Sequence, residues 1–157
     1  SLEREALMLS LYGSADVGKK NVGLGIVLFS VIGVLMGIPL TINFFGGSVL
    51  TTEQYLTWKV VHGYGVFLAF VNYFYGLLID RVNLTRRQKQ LSSWSFFLAG
   101  MVGGFGRMTL ALTGALDEYG VFASLAEVAF FVVGMGVFLF GQMRTGKLAT
   151  GAEAIAL

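Results

Sequence analysis

The chain has 157 residues, 55% of them hydrophobic and 13% charged, with a mean hydropathy of +0.75 and a net charge of +2. That leaves too little polar surface to cover a water-soluble core of this size, so composition points to an integral membrane protein. Cysteine is absent and histidine occurs once, which excludes disulfides, thiolate metal sites, cysteine nucleophiles and a multi-histidine site within one chain.

Residues 2–12 place Leu2, Ala6, Leu7, Leu9 and Leu11 at helical spacing among charged neighbours, which predicts an interfacial segment within 1–20. Acidic Glu3 and Glu5 stand where a signal peptide carries basic residues, so no leader is expected ahead of the first span. The stretches 21–52, 60–79 and 90–106 lack Asp, Glu, Lys and Arg, and 119–142 is broken only by Glu127. About 20 helical residues cross about 30 Å of hydrocarbon, so these runs predict helices near 22–46, 55–79, 92–115 and 119–142. Continuous apolar runs without two-residue alternation favour helices over a β-barrel. The expected fold is all-α: a single integral membrane four-helix bundle. Pro39 predicts a kink in the first helix, and the pairs Gly33/Gly37 and Gly100/Gly104 have the spacing of close helix contacts.

Arg4, Lys19 and Lys20 precede the first span, Arg81, Arg86, Arg87 and Lys89 separate the second from the third, and Arg144 and Lys147 follow the fourth. The opposite side offers only Lys59, against Glu53, Asp117 and Glu118. The positive-inside rule then places both termini and the 80–91 loop in the cytoplasm, in a bacterial inner membrane or its equivalent. The sequence pI of about 9.0 reflects this anchoring belt, and no separate basic surface argues for nucleic acid.

Within the spans, the plainly ionisable groups are His62, Arg107 and Glu127. A charge in hydrocarbon costs roughly 2.5–3.5 kcal/mol on insertion scales, so something must pair with it or use it. Arg107 lies ten residues before Asp117 and Glu127 ten after it, which lets the two face each other across a hairpin about 15 Å along the chain from the turn. His62 lies seven residues into the second span, about 10 Å deep on the same side. Tyr64 follows it, and Pro39, Thr41 and Asn43 reach comparable depth. A polar pocket roofed by residues 47–55 is expected there. Arg107 and Glu127 are either a structural ion pair or part of a ligand site.

His62 has three readings: a structural donor to a backbone carbonyl, a proton carrier, or an axial ligand to haem b. A proton relay needs further stepping groups, and the cytoplasmic half offers little beyond Asn72, Tyr73 and Tyr75. For a porphyrin, Gly63 and Gly65 leave room, Phe67 and Phe70 supply apolar surface, and Arg107 is placed to meet a propionate. One histidine per chain means five-coordinate iron, a weak second donor such as Met101 or Met108, or an interchain pair.

The second span, Trp58-Lys59-Val60-Val61-His62-Gly63-Tyr64-Gly65 running into Phe67-Leu68-Ala69, is followed by Leu84-Thr85-Arg86-Arg87 and by Leu98-Ala99-Gly100-Met101-Val102-Gly103-Gly104. This layout resembles the small four-helix membrane isomerases, styrene oxide isomerase and hydroxylaminobenzene mutase. The resemblance implies haem b on the histidine at position 62, held between the protomers of a trimer, with ferric iron opening an epoxide to an aldehyde. Leu68 and Gly104 stand where those families carry asparagines, so Tyr64, Asn43, Arg107 and Glu127 are the candidates to assist the substrate oxygen. Two functions from different classes are therefore expected. One is a haem-dependent isomerase of small apolar oxygenated molecules. The other is an accessory or electron-transfer subunit of a larger membrane complex.

Overall fold

The computed structural model describes residues 17–155, with side chains for 17–144, and the expected interfacial helix over 2–12 lies outside the described residues. Among the described residues there are helices and no strands. Four helices are long and apolar enough to cross a membrane: α1 (Lys19–Phe44), α2 (Thr52–Arg81), α3 (Arg86–Leu112) and α4, whose spanning part is Leu116–Arg144. The chain runs up and down as two hairpins: α1 packs along α2, α3 along α4, and α2 meets α3 between them.

The helix ends follow from local chemistry. Thr51 and Thr85 each form a capping box with the glutamine three residues later, Gln54 and Gln88, so α2 and α3 begin there. Hydropathy alone places these starts at 55 and 92, because the first turns are polar and the apolar run begins only after them. At the other end, α1 and α3 stop in the same way. Gly46 (φ 91°) and Gly114 (φ 72°) adopt the left-handed conformation, while Gly47 N–H reaches back to Ile42 and Ala115 N–H to Leu110. This is the Schellman closure, and it favours glycine at the left-handed position.

Small residues set the helix distances. Gly18 faces the Gly76 backbone, and a Cβ on Gly25 would lie 2.7 Å from the Ala69 carbonyl, so α1 and α2 approach backbone to backbone at two points seven residues apart on each helix. Gly100 and Gly104 admit Asn72, Leu24 and Leu28, so this glycine pair is a contact within one chain. The main core joins Leu28, Ile32, Val61, Leu68 and Ala99, all fully buried or nearly so. A second cluster, around Tyr75, Ile79 and Phe96, fills the bundle toward the 80–91 loop.

Two wide turns interrupt the helices. Phe29–Leu35 in α1 and Met101–Gly106 in α3 are π-helical. In α1 the wide turn ends with Met36 N–H bonded to Val31 O at 3.2 Å, three residues ahead of Pro39. Pro39 has no N–H for the carbonyl a turn earlier and crowds it, so the irregularity is spread ahead of the ring as a π turn.

Candidate functional site

The polar groups that counting places at one depth separate into two constructions. The first is a groove of about 720 Å³ along α1 and α2, lined by Gly33, Gly37, Thr41, Tyr55, Lys59 and His62 among apolar side chains. His62 Nε2 lies 3.1 Å from the Gly33 carbonyl. A carbonyl only accepts, so this contact places a proton on Nε2. A Cβ on Gly37 would stand 3.3 Å from Nε2, so glycine there keeps the ring's edge clear.

The second construction lies between α2, α3 and α4. Arg107 Nη2 is 2.8 Å from Glu127 Oε2, and the two side chains are 5% and 8% exposed. Nη2 directs its hydrogen bond to Ser124 Oγ at 2.9 Å, so the ion pair is close but not aligned as a hydrogen bond. Ser124 Oγ in turn donates to the Gly120 carbonyl. Arg107 Nη1 and Glu127 Oε2 are buried without a hydrogen-bond partner. The Tyr64 ring covers the guanidinium at 4.0 Å. Gly103 makes room for the acid, since a Cβ there would lie 2.5 Å from the Glu127 carboxyl carbon.

The remaining sequence candidates have other duties. Asn43 accepts from Val49 N–H and Leu50 N–H and donates to Leu50 O, so its amide closes the loop after α1. Beside Gly65 the space is filled by Ile32 of α1. Met108 packs against the core, Met101 lies partly exposed on α3, and Phe67 and Phe70 pair with Phe131 and Phe29. Arg107 is engaged by Glu127, Ser124 and Tyr64, and the cation lining the His62 groove is Lys59.

Three residues went unread as a unit in the sequence. Asn21 Nδ2 donates to Asn72 Oδ1 (2.9 Å) and to Ser93 O (3.0 Å), while Ser93 Oγ donates to Asn21 Oδ1 (2.5 Å). Asn72 Nδ2 completes the set with the Leu68 and Phe96 carbonyls. All three are fully buried and tie α1, α2 and α3 together. The available signal was asparagine inside an apolar run, a costly choice unless bonded across helices. Ser124 had a signal too: it lies three residues before Glu127, on the same helix face.

No protein family, curated protein or solved structure matches the chain. Function must therefore be argued from the sites. Among the described residues no three His, Asp or Glu side chains cluster as a metal site. A metal at His62 would have to bring most of its ligands with it, as iron in a porphyrin does. The groove offers one imidazole, apolar walls, glycines opposite the ring and the Lys59 ammonium. Ligation through Nε2 would require the ring to turn away from Gly33.

Proposed function

We propose that the protein is an integral membrane protein with both termini on the cytoplasmic side, and that the α1–α2 groove holds haem b on His62. Insertion is supported by the placement of side chains. Val121, Phe122 and Leu125 are each more than 60% exposed, whereas Asn21, Asn72 and Ser93 are fully buried. An apolar exterior over internally bonded polar groups is what a bilayer requires. Orientation rests on the basic residues before α1, between α2 and α3, and after α4.

The activity we assign is isomerisation of a small apolar oxygenated substrate, epoxide to carbonyl. The observation that carries it is the position of the chain's one histidine in a groove apolar enough and open enough for a porphyrin and a small hydrophobic ligand. Haem, when bound there, would supply a Lewis acid toward oxygen. His62 would anchor the group, the Lys59 ammonium would pair with a propionate, and the Tyr55 phenol would donate to the substrate oxygen as charge develops on it. The apolar walls exclude water and admit substrate from the membrane. Because the groove is open, a second copy of the chain would cover it, as in the trimer that the resemblance to styrene oxide isomerase implies.

The test is an absorption spectrum of detergent-purified protein, oxidised and dithionite-reduced, beside His62→Ala. The expected result is a Soret band in the wild type that is lost in the variant, followed by conversion of an aryl epoxide to its aldehyde by wild type alone. A colourless wild type after haem supplementation sinks the proposal. An accessory or electron-transfer role has one observation in its favour: only 11% of the spanning part of α4 is buried, leaving most of that helix for neighbours. Haem present without epoxide turnover, in a protein that co-purifies with a larger complex, would select that reading.

A further inference from the structure

At the end of the bundle that carries the 80–91 loop, charge is unbalanced. Among residues 17–144, Lys19, Lys20, Arg81, Arg86, Arg87, Lys89 and Arg144 are basic there, and Asp80 is the one acid. Lys20 of α1 is held across the seam with α3. Its ammonium stands 4.7 Å from the centroid of the Trp94 ring, 3.5 Å from Gln90 Oε1 and 3.4 Å from the Val17 carbonyl. An indole face, an amide oxygen and a carbonyl fix where the charge stands, and none of the three neutralises it.

A second cation projects from the same side of α3. Arg87 is exposed and lies seven residues before Trp94, two turns or about 10 Å along the helix. The first turn of α3 holds no acid, so the helix dipole adds to this positive charge instead of offsetting it. Inward from the two cations the seam turns apolar. Leu91, Trp94 and Leu98 of α3 and Val27 of α1 are each more than a third exposed. Gly23, one turn in from Lys20, leaves α1 clear beside them, since nothing lies within 4 Å of where its Cβ would stand.

A ligand for this seam needs net negative charge at one end and hydrocarbon at the other. A zwitterionic headgroup brings an ammonium of its own, which the two cations repel. A headgroup with a phosphate and no amine is attracted by both.

We propose that one acidic phospholipid binds in the seam between α1 and α3, its phosphate held by Lys20 and Arg87 and one acyl chain lying over Gly23 along Val27, Trp94 and Leu98. This rests on the membrane-spanning reading above and is independent of what the His62 groove holds.

The test uses the full-length W58F protein, in which Trp94 is the one tryptophan left. It is reconstituted in phosphatidylcholine vesicles, and its fluorescence is quenched by brominated phosphatidylglycerol or brominated phosphatidylcholine at the same mole fraction. The expected result is a quenching affinity about fivefold higher for phosphatidylglycerol, as attraction to a basic side chain at the membrane surface implies. K20Q/R87Q should lose the preference and K20R/R87K keep it. R81Q/R144Q, which removes the same charge from the same end, should keep it too. Equal quenching by both lipids in the parent protein overturns the proposal. So does a preference that K20Q/R87Q retains, or one that R81Q/R144Q loses, the result if the basic belt attracts acidic lipid without a site. No quenching by either lipid would overturn the membrane-spanning reading and the proposal with it.

Discussion

Asn21, Asn72 and Ser93 lie toward the 80–91 loop, and Arg107 with Glu127 toward the Gly114 turn, and both clusters are buried among apolar helices. They differ in closure. The asparagine cluster uses both amides and the hydroxyl in six contacts that span three helices (Asn21–Asn72, Asn21–Ser93 twice, Asn72–Leu68, Asn72–Phe96 and Ser93–Val17), with the one Ser93 proton shared between Asn21 Oδ1 and Val17 O. The charged cluster has one shared nitrogen, one serine and two atoms left over. A polar group that only holds helices together can be fully paired by the chain itself. An ion pair is held chiefly by opposite charge and can leave hydrogen-bonding capacity unused.

Stability measurements in mild detergent can break this distinction, with the fluorescence of Trp58 and Trp94 as the reporter. The largest loss is expected for Glu127→Ala, about 3–5 kcal/mol, because it leaves a buried guanidinium without a counter-charge. A loss under 1 kcal/mol would mean that the pair is reached by water. Gly103→Ala comes next, at about 1–3 kcal/mol, since its Cβ meets the Glu127 carboxyl; the same cost persisting in an E127A background would assign it to Leu68 instead. Asn72→Ala should cost about 1–3 kcal/mol through the donors and acceptors it strands on Asn21 and Phe96. Ser124→Ala should be the mildest, about 1 kcal/mol or less, because Nη2 is then free to turn fully onto Glu127. If Ser124→Ala were as damaging as Asn72→Ala, the two clusters would be alike and the contrast would fail.

Much of the fold was legible because hydropathy and helix punctuation are local. The four apolar runs stand in the sequence, and the equal count of residues from the turn brought Arg107 to Glu127, whereas the T-x-x-Q boxes at Thr51 and Thr85 and the glycines at 46 and 114, which set the helix ends, went unread. What sequence left hidden depends on rotation about the helix axes. Counting gave His62, Tyr64 and Arg107 a common depth, but His62 and Tyr64, two residues apart, point to different sides of α2: one toward Gly33, the other over Arg107. Asn43 looked like a site residue at the right height and instead closes its own loop. Lys59 and Tyr55, which line the His62 groove, could not be separated from ordinary interfacial anchors without knowing what they face.

The wide turn Met101–Gly106 acts on the register of everything beyond it. A π turn is one residue more than the α-helix needs, and each residue of an α-helix advances the face by about 100°. Removing a single residue from this stretch would leave α3 a regular helix of almost unchanged length with Arg107 still facing Glu127, whereas regularising the turn with every residue kept would swing Arg107 away by roughly that angle. The ion pair is thus phased by the wide turn rather than by the identity of its own two residues. Straightening the turn with every residue kept would uncouple α3 from α4 at this site, whereas a one-residue deletion within it would be absorbed, and both would leave the Gly100 contact with Asn72, on the near side of the turn, in place.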